Sequence, residues 1–338
     1  MRSLLPQTLI ALSLTWLGAP GQAQAGSNDF VLHRFRACGG VAGACARGIV
    51  RERVYDMTDP VPNHVVRVIP DTASFGSFAR ELGIALAPRM LEPAESPGQA
   101  GFSFGVATSV TDIKNEEEYW ATAVPIDGQV PPDVLTTLHM HLRKGLPFSF
   151  EMGGTITYLI GSEMFALGAD AKWTLNEGFV FLPDIAARAS VTRLVGSRDL
   201  DLITGGGDVT ISHPFVIGGM VVLTPYAGWN RLIVNASSHV LDATPGLDGF
   251  PPPHCNTRPG DASRGADPSS NYTEECVRAV ESVETTDLKA NFVLAQQRKD
   301  LNRFFGGMRF KFTVVTLTAE ASFGDGVNSY TGKLELDF

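Results

Sequence analysis

Two histidines, His139 and His141, stand one residue apart beside Arg143 in "LHMHLR", and "RDLDL" places Asp199 close to Asp201. Imidazoles titrate near neutrality and carboxylates can carry acid–base chemistry, so these are the first places to look for catalysis. Their spacing does not complete a site. No nucleophile, base and orienting group fall into a defensible set, and no paired-carboxylate site can be argued, so an enzyme ranks last among the readings. The four cysteines form two local pairs, Cys38 with Cys45 and Cys255 with Cys276. His254 adjoins Cys255, but no second Cys-His cluster completes a metal shell. Two short-loop disulfides are therefore expected, with no metal and no cofactor.

The remaining charged residues repeat at every second position. Glu151, Asp170, Asp184, Asp208, Glu320 and Glu335 alternate with apolar neighbours, and so do Lys172, Arg188, Arg309, Lys311 and Lys333. In "PFSFEMGGTITYLI", Phe148, Phe150, Met152, Ile156 and Tyr158 share one face while Glu151, Thr155 and Thr157 share the other. A period of two is a strand signal. Ten segments carry it, roughly 101–112, 132–144, 147–160, 163–176, 182–195, 199–213, 217–236, 301–312, 314–324 and 327–338. They are longer than the strands of ordinary sheets, and aromatics lie near the ends of their apolar faces (Phe148, Tyr158, Phe165, Trp173, Tyr226, Trp229, Tyr330, Phe338). Alternate connections are short, near residues 145, 178, 214 and 313, while 113–131 and 237–300 both fall on the opposite side. The expected fold is all-β, an antiparallel transmembrane barrel of about ten strands with a small N-terminal segment. Its polar face, His139 and His141 included, should line the lumen. Both signs are interspersed there, which favours a filled, ion-paired interior over a selective pore.

Residues 1–25 read as a secretory signal peptide: Arg2, an apolar stretch through Trp16, then Ala23-Gln24-Ala25. The chain holds 27 basic and 36 acidic residues, a net of −9, and removing Arg2 leaves 26 against 36, or −10. That balance argues against nucleic acid.

"YTGKLELDF" sets Tyr330, Leu334, Leu336 and Phe338 in one register, with Phe338 last. It resembles the C-terminal signal of bacterial outer-membrane β-barrel proteins. The resemblance covers about 240 residues, from Gly101 onward. It implies the outer membrane of a Gram-negative bacterium, both termini in the periplasm, and as partners outer-membrane lipid, lipopolysaccharide and the barrel-assembly machinery. Omptin proteases also have ten strands, but no Asp-x-His follows Asp199 and Asp201 here, which sets that activity aside. The Asn-Pro-Ala element of outer-membrane fatty-acid transporters is absent as well.

Residues 26–100 precede the barrel. "DTASFGSFARELGIALAP" predicts a short helix capped by Asp71 or Thr72, with Phe75, Phe78, Leu82 and Leu86 on one face and Pro88 ending it. This part is either periplasmic, the preferred placement, or a plug in the barrel mouth. Residues 237–300 read as a long outer loop, which the expected Cys255–Cys276 bridge would pin. The expected function is a non-enzymatic scaffold presenting that loop to a surface ligand or serving envelope integrity. The alternative is a narrow channel for small solutes, gated or plugged by the N-terminal segment.

Overall fold

In a computed structural model of the chain, residues 29–36, 45–46, 49–54, 63–124, 130–179, 182–242 and 291–338 are described, those between 45 and 67 by backbone alone. A small antiparallel sheet comes first: β1 (Cys45–Ala46), β2 (Ile49–Val54) and β3 (Asn63–Val68). Helix α1 (Thr72–Leu86) follows. Then come β4 (Phe102–Asp112), helix α2 (Glu118–Ala123), β5 (Val134–Leu146), β6 (Phe150–Leu159), β7 (Phe165–Asn176), β8 (Asp184–Val195) and β9 (Leu200–Ser212). The short β10 (Phe215–Ile217) leads into β11 (Val221–Ser238), and β12 (Leu241–Asp242) pairs with β13 (Asn291–Phe292). Last are β14 (Gln297–Phe312), β15 (Val315–Gly324) and β16 (Val327–Asp337).

Among the described residues ten of these strands form one closed antiparallel barrel, in the order β4-β5-β6-β7-β8-β9-β11-β14-β15-β16 and back to β4. Closure is by β16 against β4, with Tyr330 opposite Val110 and Leu336 opposite Phe104. A closed barrel leaves no sheet edge, which a membrane span requires because hydrocarbon offers no partner to an unpaired N–H or C=O.

The burial pattern is inverted relative to a soluble sheet. Met152 on β6 is 59 % exposed while its neighbour Glu151 is 1 % exposed, and Leu334 at 54 % adjoins Lys333 at 3 %. The outward face carries aromatic pairs at two levels. Phe150 stacks on Trp173 with centroids 5.7 Å apart near the short-turn end, and Tyr158 meets Phe165 at 5.0 Å near the long-loop end. Eight residues of tilted strand separate these levels on β6, roughly 20 Å of height. An apolar band of that kind between aromatic girdles is the architecture of a bacterial outer-membrane barrel. Tyr330, Leu334, Leu336 and Phe338 all lie on this outward face.

One expectation is corrected. Tyr226 is not a girdle residue. It sits in the inward register of β11, 4 % exposed, with its hydroxyl on Glu320, because the even positions of β11 point inward. Asp29 and Val31 lie at the other end of the barrel from Phe338. Asp29 accepts a hydrogen bond from the backbone of Glu163, in the β6–β7 turn, and Val31 N donates to Ala123 O in the β4–β5 connection. Phe338 exchanges backbone hydrogen bonds with Phe102 at the opposite, short-turn end.

Candidate functional site: the occupied lumen

Helix α1 forms where the sequence signals it. Asp71 Oδ1 caps Ser74 N at 3.1 Å, and the helix stops at Ala87, whose extended ψ of 151° is what a residue before proline adopts. Phe75, Phe78 and Leu82 are each 0 % exposed. They pack with Leu32, Phe35 and Trp120 and with the apolar inward residues of the long-loop end, among them Leu202, Leu232, Val234 and Leu301. The upper lumen is thus a small hydrophobic core with α1 inside it. The fit is close: a Cβ added to Gly83 would stand 2.5 Å from Val234 Cγ1.

Glu81 fastens the helix to the β4–β5 connection. It is fully buried, and its carboxylate accepts hydrogen bonds from Tyr119 Oη (2.7 Å), Trp120 Nε1 (2.8 Å), Lys114 N (3.0 Å) and Arg80 Nη2 (3.1 Å). Burial, and then the Glu81 carboxylate, push the Tyr119 hydroxyl above its ordinary value.

Below the helix, residues 87–97 run extended through the lumen from the long-loop end to the short-turn end. The inward side chains bond to this backbone directly. Arg188 Nη1 donates to Met90 O (2.9 Å), and Leu91 N donates to Glu320 Oε2 (2.7 Å). Ala94 is held on both sides, its N–H by Ser212 Oγ (2.9 Å) and its carbonyl by Thr174 Oγ1 (2.6 Å). Lys172 Nζ donates to Glu95 O (3.0 Å), and Ser96 N reaches Glu177 Oε1 in the β7–β8 turn (2.9 Å). Leu91 has φ of 42°, a left-handed conformation that a leucine adopts only when its surroundings impose it.

Glu92 is the charged centre. One oxygen lies 2.7 Å from Arg143 and 3.2 Å from Lys172, the other 3.0 Å from Lys333. Those cations also meet wall carboxylates: Arg143 with Glu151 (2.7 Å) and Asp170 (3.5 Å), Lys172 with Glu151 (2.8 Å), Lys333 with Glu335 (2.7 Å). Glu95 pairs with Arg309 beneath it. At the short-turn mouth the space left among Glu95, Ser103, Arg309 and Glu335 is about 30 Å³, room for one or two waters and no more.

The anticipated lumen residues fall on the inner wall. Arg188 bonds Asp208 at 2.9 Å, Lys311 bonds Asp337 at 2.9 Å, and Asp184 is buried near the short-turn end. His139 lies between the hydroxyls of Thr137 and Thr157, both at 2.9 Å, and its ring stacks on His141, which contacts Thr155. Both imidazoles are tied to threonine hydroxyls of the barrel wall, within the polar lining. Asp199 and Asp201 stand at the long-loop rim away from both. Arg303, held to Asn230 at 2.8 Å, and the segment's own Glu81, Arg89, Glu92 and Glu95 were not anticipated; the carboxylates of "MLEPAESP" were visible, but in a stretch with no strand period. Among the described residues no cluster of His, Cys, Asp and Glu could hold a metal ion. Cys38, Cys255 and Cys276 and the side chain of Cys45 lie outside the described residues.

No protein-family model and no curated protein matches the chain. Similar solved structures include the β domain of the Bordetella autotransporter BrkA, at 9 % identity and a TM-score of 0.37 over 71 % of this chain and 100 % of that one. The KdgM porin gives 7 % and 0.29 over 70 % and 99 %. Ail of Yersinia pestis, in complex with the heparin analogue sucrose octasulfate, gives 11 % and 0.25 over 71 % and 99 %. At such scores no residue role or ligand is carried over from them.

Proposed function

We propose that this protein is a non-enzymatic outer-membrane scaffold whose lumen is sealed by its own N-terminal segment and whose long-loop end meets a surface ligand. The observation that carries this is the path of residues 87–97, bonded along its length to the inner wall. A barrel held shut by backbone contacts at so many levels suits support better than permeation. The long-loop end offers a recess of about 340 Å³ between Ser77 and Arg80 of α1 and Lys299 and Asn302 of β14, with mixed charge suited to a polar ligand. Purified full-length protein in planar bilayers should be electrically silent. Steady conductance from the unmodified chain would refute the sealed reading.

A second reading, a narrow gated channel for small solutes, has one observation in its favour. Arg143 Nε, Arg303 Nη1 and Glu335 Oε1 are buried without a hydrogen-bond partner among the described residues. The wall thus has more hydrogen-bonding capacity than the segment uses, which suits a path that water can enter. Under this reading the double variant Glu92→Ala/Glu95→Ala conducts while the unmodified chain flickers; under the scaffold reading the unmodified chain shows no events at all.

A further inference from the structure

We propose that the barrel is the conduit for its own N-terminal portion, so that residues 29–36 and the sheet β1-β2-β3 reach the outer face of the cell through the lumen and are held there. This rests on reading the long-loop end as the outer end, as short turns on the periplasmic side require.

The inference follows from chain direction. Strand β4 begins at Phe102, which is bonded to Phe338 at the short-turn end. Going backwards from there, Ser96 is at the β7–β8 turn, Glu92 is among the mid-lumen cations, and α1 is in the upper lumen. Asp29 and Val31 are beyond it, on the long-loop connections. The sheet β1-β2-β3 hangs from the same end, since Arg36 bridges Pro70 and Asp71 N donates to Phe35 O. The portion before α1 and the barrel's last strand therefore end on opposite sides of the apolar band.

A polypeptide delivered to the periplasmic side reaches that arrangement only by crossing. Through lipid, each unpaired backbone N–H and C=O costs several kcal/mol. Through the lumen, each meets a side chain of the kind that already holds Met90, Leu91 and Ala94. Width sets the order of events. Eight strands leave an interior just filled by side chains, so a ten-stranded lumen admits an extended chain but not a folded three-stranded sheet. Residues 29–36 and the strands of that sheet therefore pass unfolded, and the sheet and the Phe35–Phe75–Phe78–Trp120 cluster form afterwards at the outer end.

The test is side-specific detection on intact cells of three epitope-tagged full-length chains, each scored only as the heat-modifiable, folded band. The tags sit immediately before Asp29, after Gly178 in the β7–β8 turn, and after Val240 beyond β11. The expected result is antibody binding at Asp29 and Val240 without permeabilisation, and at Gly178 only after it. Binding at Val240 with none at Asp29 until cells are opened overturns the conduit while leaving the barrel's orientation intact. Binding at Gly178 but not Val240 shows the orientation reversed and removes the premise. Because the first tag could disturb assembly, trypsin applied to cells bearing the untagged chain gives a second readout. It should release peptides from residues 29–67, and their absence from the medium together with an accessible Val240 tag counts against the proposal.

Discussion

Glu92 Oε2 lies 2.7 Å from Arg143 Nη1, a contact across 51 residues of sequence that joins a segment with no strand pattern to the second strand of the barrel. Lys172 and Lys333 share the same carboxylate, so one side chain touches three wall cations from three strands. Removing it takes one carboxylate from a buried cluster in which Arg143, Lys172 and Lys333 still keep Glu151, Asp170 and Glu335, so the loss falls below the about 3–5 kcal/mol of breaking an isolated buried pair. Glu92→Ala should lower the temperature at which the folded gel band converts to the unfolded one by a few degrees, and Glu92→Gln, which keeps the shape, by less. Equal transitions for both variants and the unmodified chain would show that the carboxylate is not what ties the segment down.

Gly83 tests how tightly α1 is seated. A side chain there enters the space of Val234 Cγ1, and overpacking of this kind costs about 1–3 kcal/mol. Gly83→Leu should loosen the upper lumen, and Val234→Ala in the same chain should return part of the loss. A double-mutant cycle on the gel-band transition measures that coupling, and strict additivity would place the two residues out of contact.

The Tyr119–Glu81 contact carries a pH dependence. The Tyr119 hydroxyl is raised above its ordinary value of 10.0 by burial and by Glu81, with Glu117 adding to the rise and Arg80 opposing it. The stability it contributes is complete below about pH 10 and falls as pH climbs from there toward the raised value. Limited proteolysis of the β4–β5 connection should accelerate above pH 10 in the unmodified chain. In Tyr119→Phe it should be faster at neutral pH and lack this alkaline rise.

The outward face predicts an asymmetry between neighbours. Leu142 lies opposite Gly154 at mid-height of the apolar band and points to lipid, whereas Arg143 beside it points inward. Leu142→Arg should cost about 2–4 kcal/mol, as arginine at the bilayer midplane does. Leu142→Ile should fold as the parent does. Refolding into lipid vesicles, followed by the gel-band shift, reads both.

The barrel was legible because period-two alternation survives any loop length: Glu151 and Met152, or Lys333 and Leu334, announce opposite faces from their neighbours alone. Helix α1 was legible for the same kind of local reason, a cap at Asp71 and a stop at Pro88. What could not be read was where that helix docks. The apolar inward positions at the upper strand ends, Leu200, Leu202, Leu232 and Val234, interrupt the polar lining because they face Phe78 and Leu82, and that partnership joins residues far apart in sequence. Likewise Glu92 and Glu95 have no periodicity to mark them. Their meaning resides in Arg143, Lys172, Lys333 and Arg309, which come together only when the barrel closes.

Residues 87–97 form a thin shaft between two wider bodies, the aromatic cluster around α1 above and the barrel itself, to which the shaft is joined covalently through β4, below. Such a part behaves as a fastener. Tension applied to Asp29 away from the barrel at the long-loop end loads the Glu92 contacts and the paired hydrogen bonds at Ala94 in shear before any of it reaches the girdles, so the wall and not the bilayer bears it. Withdrawal toward the short-turn end is blocked until the head unfolds. The head and shaft make a mechanical interlock, and against a pull toward the short-turn end its strength is set by how fast Phe35, Phe75, Phe78 and Trp120 come apart rather than by how deeply the strands sit in lipid.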